Sequence, residues 1–307
     1  MKGRFMIATV MAVVFMMGGC AQESGTKESG KVRVTATIGQ IGDAVKEIGG
    51  DRVEVQTLMG PGVDPHLYKA KQSDIGKLQE ADLIFYSGLH LEGKMLEVLQ
   101  KVNETKPAYA ISESIPKERL RADEANAAAV DPHVWFDIEL WKIAVGEVRD
   151  GLIKEDPAHE KEYRKNTEAY YDKLDELKKY AEEKIGSIPP EQRVLVTAHD
   201  AFHYFGDAYD MEVMGLQGLS TDAEYGLGDV QGLVETLAER EIKAVFVESS
   251  ISEKSITAVM EGVRKKGKDI GLGGELYSDA MGKEGTETGT YVGMYKHNVD
   301  TIVKALK

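Results

Sequence analysis

One long amphipathic segment does most to limit what this chain can fold into. Over residues 158–185, apolar or aromatic side chains recur at Tyr163, Tyr170, Leu174, Leu177, Ala181 and Ile185, with charged residues between them. Spacings of three, four and seven put these side chains on one face of an α-helix. Pro157 suits an early helical position and Gly186 a terminator. At about 1.5 Å per residue such a helix runs roughly 40 Å, the width of a domain. It is either a strut between two lobes or a surface helix inside one domain. The patterns on either side of it favour the strut.

Before the segment, strands and helices alternate. Residues 31–38 read as a strand, with Val32, Val34, Ala36 and Ile38 at alternate positions. Residues 41–48 form a short helix closed by Gly49-Gly50, and 52–59 a second strand broken by Gly60-Pro61-Gly62. Residues 71–80 and 92–102 read as helices, and 83–87 and 109–112 as strands. After the segment the rhythm resumes. Residues 193–197, 211–216, 244–248 and 270–277 read as strands, and 201–209, 229–240, 254–265 and 289–306 as helices. This predicts an α/β fold of two lobes, each a mostly parallel sheet flanked by helices, joined by one long rigid helix. The expected division is 32–157 for the first lobe, 158–186 for the helix and 187–307 for the second lobe.

The first 31 residues read differently. Lys2 and Arg4 precede an apolar run over 5–17, then Gly18-Gly19-Cys20. A basic start, a short apolar region and small residues before a cut form a secretory signal over 1–19. The run is too short to span a bilayer, which takes about 20 residues. Small residues before the only cysteine resemble a bacterial lipobox, with Met17 in place of the usual leucine. Cys20 would then be the lipid-modified first residue of the mature chain, followed through residue 31 by a flexible tether rich in Ser, Gly, Lys and Glu. The alternative is a plain signal beside a free thiol. A single cysteine forms no internal disulfide, so the exported fold must stand without one. The formal charge of -14 argues against a nucleic-acid partner, which needs a basic patch. No second apolar run is long enough to cross a membrane.

Two phrases carry the chemistry: Asp64-Pro65-His66-Leu67-Tyr68 and Asp131-Pro132-His133-Val134-Trp135. Proline fixes its own φ and pushes the preceding residue into extended conformations. A histidine just after it sits on stiff backbone, so a metal ligand there loses little entropy on binding. Ligands in open α/β sheets collect beyond the carboxyl ends of strands. His66 follows one strand, His199 follows 193–197, and Asp279 follows 270–277. His133 has no clear strand before it and rests on its Asp-Pro-His phrase. Three imidazoles and a carboxylate suit a divalent first-row ion such as zinc or manganese.

The remaining polar candidates divide by context. His203 lies four residues after His199 and shares its face on a helix, so it flanks the site or packs. His90, His159 and His297 read as solvated or structural. Glu248 ends the strand at 244–248 and is placed to accept a hydrogen bond from a ligand histidine, or to serve as a plain buried carboxylate. Asp64, Asp131 and Asp137 are weaker candidates for the same role, because Asp before Pro is also common in turns.

With these residues in place, the chain resembles the solute-binding lipoproteins of metal ABC transporters, the cluster A-I or zinc/manganese group, over essentially its whole length. Gly60-Pro61-Gly62-Val63-Asp64-Pro65-His66, the second Asp-Pro-His, Thr197-Ala198-His199-Asp200 and Tyr277-Ser278-Asp279 follow that family's order. The nearest likeness is to manganese-binding lipoproteins of Gram-positive bacteria. The resemblance implies His66 and His133 as ligands from the first lobe, and His199 and Asp279 from the second. It implies a lipid-anchored monomer on the extracytoplasmic face of the cell membrane that delivers its ion to a membrane permease. Manganese (Mn2+) is the implied cargo and zinc (Zn2+) the alternative: many manganese members carry Glu at the place of His199, whereas many zinc members carry a long His-rich loop absent from 118–130. The phosphate-loop signature of an ATPase is missing, as the family leads one to expect. Ligand imidazoles must be neutral, so affinity is expected to weaken below about pH 6.5. Rival readings are a zinc hydrolase with Glu248 as base, a surface adhesin, and an organic-solute binder.

Overall fold

The computed structural model describes residues 30–122, 129–222 and 225–307. Cys20 and the expected export signal lie outside the described residues. Short runs form β1 (Val32–Ala36), β2 (Val53–Thr57), β3 (Leu83–Tyr86) and β4 (Ala108–Ala110), alternating in β1 and β2 and apolar in β3. They make one parallel sheet in the order β2-β1-β3-β4. Parallel sheets are covered on both faces, which is why Val34, Ala36, Leu83, Ile84 and Phe85 are all fully buried. The crossovers are α1 (Gly39–Gly49), α2 (Gln72–Glu80) and α3 (Leu96–Asn103).

The strand order reverses between β1 and β3, and the crevice of such a switch point opens past their carboxyl ends. Glu92 sits there. Thr37 Oγ1 and the Ser87 amide donate to its Oε1 at 2.6 and 2.7 Å, and the Gly88 amide to Oε2 at 3.2 Å. A residue that reads in the sequence as the start of a helix thus pins the ends of two strands together.

The second half carries β5 (Val194–His199) paired with β6 (Glu212–Gln217), and β7 (Ala244–Glu248) paired with β8 (Gly271–Leu276), all parallel. β5 and β7 lie side by side. The two pairs are separate ladders, and at their ends the Ala198 and His199 amides donate to Glu248 Oε1. α6 is His203–Tyr209, and α7 (Leu227–Glu239) and α8 (Lys254–Lys265) enclose a core of Val194, Val196, Leu237, Val245 and Val263.

The long segment is α5 (Glu160–Gly186), entered through a 3₁₀ turn at Pro157–His159. Tyr163, Thr167, Tyr170, Leu174, Leu177, Ala181 and Ile185 are its buried stripe. It packs on α1 and α6, on α4 (Ile138–Glu155) and on α9 (Tyr291–Leu306). The sequence reading has no helix at α4. Gly146 and Gly151 weaken its intrinsic preference. Gly151 earns its place by packing, since a Cβ there would lie 2.8 Å from the Phe85 ring.

α9 returns to the first half. Tyr291 stacks on Trp141 with centroids 5.3 Å apart. The Tyr291 and Tyr295 hydroxyls donate to the carbonyls of Trp135 and Phe136 at 2.6 and 2.8 Å. One large core therefore draws on both halves, and Lys31–Lys307 hold together as a single compact unit. Among the described residues no helix is long and apolar enough to cross a membrane.

Candidate metal centre

Each of the four candidate side chains is held by its own local device. The turn after β2 needs Gly62 at φ +72°, a backbone conformation that favours glycine. Past it, Asp64 Oδ1 accepts the His66 amide at 2.9 Å. Asp131 makes the same turn for His133, its Oδ1 accepting the backbone amide at 2.9 Å and meeting ring Nδ1 at 2.7 Å. His199 is the last residue of β5, and its Nδ1 lies 2.7 Å from Glu248 Oε2. Glu248 Oε1 accepts the amides of Ala198 and His199 at 2.8 and 2.9 Å.

Asp279 follows β8 on a loop held from two directions. Asn298 of α9 accepts from the Tyr277 amide at 2.9 Å and donates to its carbonyl at 2.7 Å. From the first half, Gln40 Nε2 donates to the carbonyls of Ser278 and Asp279 at 3.3 and 3.2 Å, and Trp135 Nε1 donates to that of Ser278 at 3.2 Å.

These elements bring His66, His133, His199 and Asp279 together, with one ligand-type atom from each inside a set no wider than 4.8 Å. His66 Nε2 and His133 Nε2 are 3.3 Å apart, and both Asp279 oxygens face imidazoles: Oδ1 lies 3.3 Å from His133 Nε2, Oδ2 3.4 Å from His199 Nε2. Ligands at roughly 2.0 Å from one ion stand roughly 3–4 Å apart, so the set is of a size to hold a divalent ion. Both oxygens of Asp279 and Nε2 of His199 are buried without a hydrogen-bond partner among the described residues. Buried polar atoms left unpaired in this way are costly, and an ion at their centre would satisfy them. The donor set therefore fits a metal.

The charges are arranged for the same end. Burial pushes the His66 imidazole down to about 3, so it is neutral. Burial also pushes His133 and His199 down, but the carboxylates facing them outweigh it. Asp131 and Asp279 lift His133 to about 9, and Glu248 and Asp279 lift His199 well above the usual imidazole value. Burial raises Asp279, yet His199 and His133 outweigh it and hold the carboxyl well below the usual range. Burial and the facing carboxylates thus pull these imidazoles in opposite directions, and the imidazoles in turn pull Asp279 down.

Other candidates lie elsewhere. His203 opens α6, with Nδ1 3.7 Å from Asp131 Oδ2 and Nε2 3.6 Å from Asp200 Oδ1, outside the ligand group. Asp137 does not touch a ligand histidine: it caps α4, accepting the amides of Glu139 and Leu140. His159 Nδ1 pairs with Asp156 at 2.6 Å, His297 Nε2 lies 3.1 Å from the Glu275 carbonyl, and His90 is exposed at φ +66°. Sequence reasoning missed Gln40, Trp135 and Asn298 as supports of Asp279. Trp135 had a signal, as the aromatic that closes the second Asp-Pro-His phrase; its ring meets that of His133 edge-on at 5.3 Å.

An α/β scaffold closing three histidines and an aspartate around one point defines a metal-binding protein of the solute-binding class. The chain belongs to the ZnuA family, described as zinc-uptake complex component A, periplasmic, whose pattern matches residues 34–305. It is 54% identical over 303 residues to the manganese-binding lipoprotein MntA of Bacillus subtilis, covering 98% of this chain and 99% of that one. It is 47% identical over 304 residues to the zinc-binding protein TroA of Treponema pallidum, covering 98% of each. The solved structure of periplasmic TroA superposes with a TM-score of 0.88, covering 90% of this chain and 99% of that one.

Proposed function

We propose that this protein captures a divalent transition metal at His66, His133, His199 and Asp279 and delivers it to the permease of an ABC transporter. The observation that carries the reading is the buried Asp279 carboxylate with three buried imidazoles drawn around it. Manganese is the favoured cargo, on likeness to the manganese-binding relative. Zinc is the second reading, favoured by the nitrogen-rich donor set and the zinc-binding relative. We read the chain as a binding protein rather than an enzyme. All four ligands are at most 3% exposed, whereas a hydrolytic zinc keeps an open position that substrate can reach. Lipoprotein relatives support a chain anchored on the extracytoplasmic face of the cell membrane; we place the anchor at Cys20 and read the chain as a monomer. Residues 32–157 and 187–307 would act as two lobes about the helix at 158–186.

Elemental analysis of protein purified without chelator, followed by manganese–zinc competition, tests the reading. One ion per chain is expected, bound through the four residues. A chain that neither carries nor takes up either ion would overturn it.

A further inference from the structure

The two sides of the metal centre are closed by different means. On the Asp279 side, Gln40 and Trp135 cross from the first half and bond buried carbonyls. On the His66 side, the side-chain bonds across the halves among the described residues include those of two consecutive residues in the second half. Thr221 Oγ1 donates to Asp64 Oδ2 at 2.6 Å, while the other oxygen of the same carboxylate holds the His66 amide. Lys94 Nζ pairs with Asp222 at 2.7 Å. Thr221 is also tied to the strand pair of His199. Its carbonyl accepts from Gln217 Nε2 at 3.4 Å, and Gln217 stands opposite His199 in the β5–β6 ladder.

A chain of contacts thus links two ligands from opposite halves: His199 to Gln217, to Thr221, to Asp64, to His66. His66 is the most exposed of the four, at 3%. An ion leaving past it requires His66 and His199 to part, and parting them strains the Thr221–Asp64 bond. We propose that Thr221, assisted by Lys94, is a latch that sets how fast the centre releases its ion. Both are positioning residues, acting through Asp64 and Asp222 rather than on the metal. The proposal rests on the metal-capture reading and adds to it the side on which the centre opens.

The test is a stopped-flow chase of the manganese- or zinc-loaded protein with excess EDTA. Thr221→Val keeps the shape and removes the donor. Release should quicken about tenfold, the scale of a lost hydrogen bond to a charged group, while association changes little. Thr221→Ser should restore the original release rate. Lys94→Met should give a smaller increase and should abolish the part of the salt dependence that its exposed ion pair contributes. Release at the original rate from Thr221→Val, with an unchanged melting temperature without metal, overturns the latch. If Thr221→Val fails to fold, Lys94→Met decides: unchanged release and unchanged salt dependence overturn it. Failure of the original protein to take up either ion overturns the capture reading itself, a result distinct from capture with unaltered release.

Discussion

Asp131 and Glu248 do for two histidines what no ligand does alone. Each places a carboxylate 2.7 Å from a ring Nδ1, leaving Nε2 to face the centre. Loss of such a partner typically weakens metal binding by about 10–100-fold, and we expect that range for Asp131→Asn and Glu248→Gln in chelator competition. Asp279→Ala, which removes the anionic ligand itself, should cost more than either while the metal-free protein still folds, as circular dichroism would show. The same carboxylates govern pH. With His133 lifted to about 9 and His199 lifted as well, ion binding at neutral pH should expel protons. Affinity should therefore fall as pH drops through the neutral range, by about tenfold per pH unit for each proton released, well above the pH 6.5 expected from free imidazole. Calorimetry at pH 7.5 in two buffers of different protonation enthalpy measures that release directly. Equal heats in both buffers would contradict it. That these four side chains would meet was legible in the sequence, because three follow strand ends and His133 repeats an Asp-Pro-His phrase. Gln40 and Asn298 were not, because they act on backbone carbonyls and amides and leave no spacing to read.

Among the elements, α5 was plain from its stripe of buried residues, whereas α4 was hidden by its two glycines, of which packing requires Gly151. Asp137 shows how one residue type serves two purposes. Just after the second histidine phrase it looks like support for a ligand, yet its carboxylate satisfies the first amides of α4. Asp137→Ala should lower stability by about 1 kcal/mol in denaturant titrations, with metal affinity unchanged. Leu174→Ala, at a fully buried position of α5, should cost about 2–5 kcal/mol by the cavity it leaves. The β5–β6 and β7–β8 pairs are meanwhile joined through Glu248, so an element boundary and a ligand support coincide in one side chain.

At the scale of the molecule, binding and folding are linked. Ion at about 100 times its Kd should stabilise the chain by about 2.7 kcal/mol, visible as a rise in melting temperature. A shared core that runs through both halves resists wide opening, so X-ray scattering should give the same radius of gyration with and without metal. That shared core also imposes an order in time. Trp135, Phe136 and Trp141 lie in the first half of the chain, but the tyrosines that cover them, Tyr291 and Tyr295, are among its last residues. A polypeptide emerging amino end first would have to wait, its opening half incomplete, until the final turns arrive to close it.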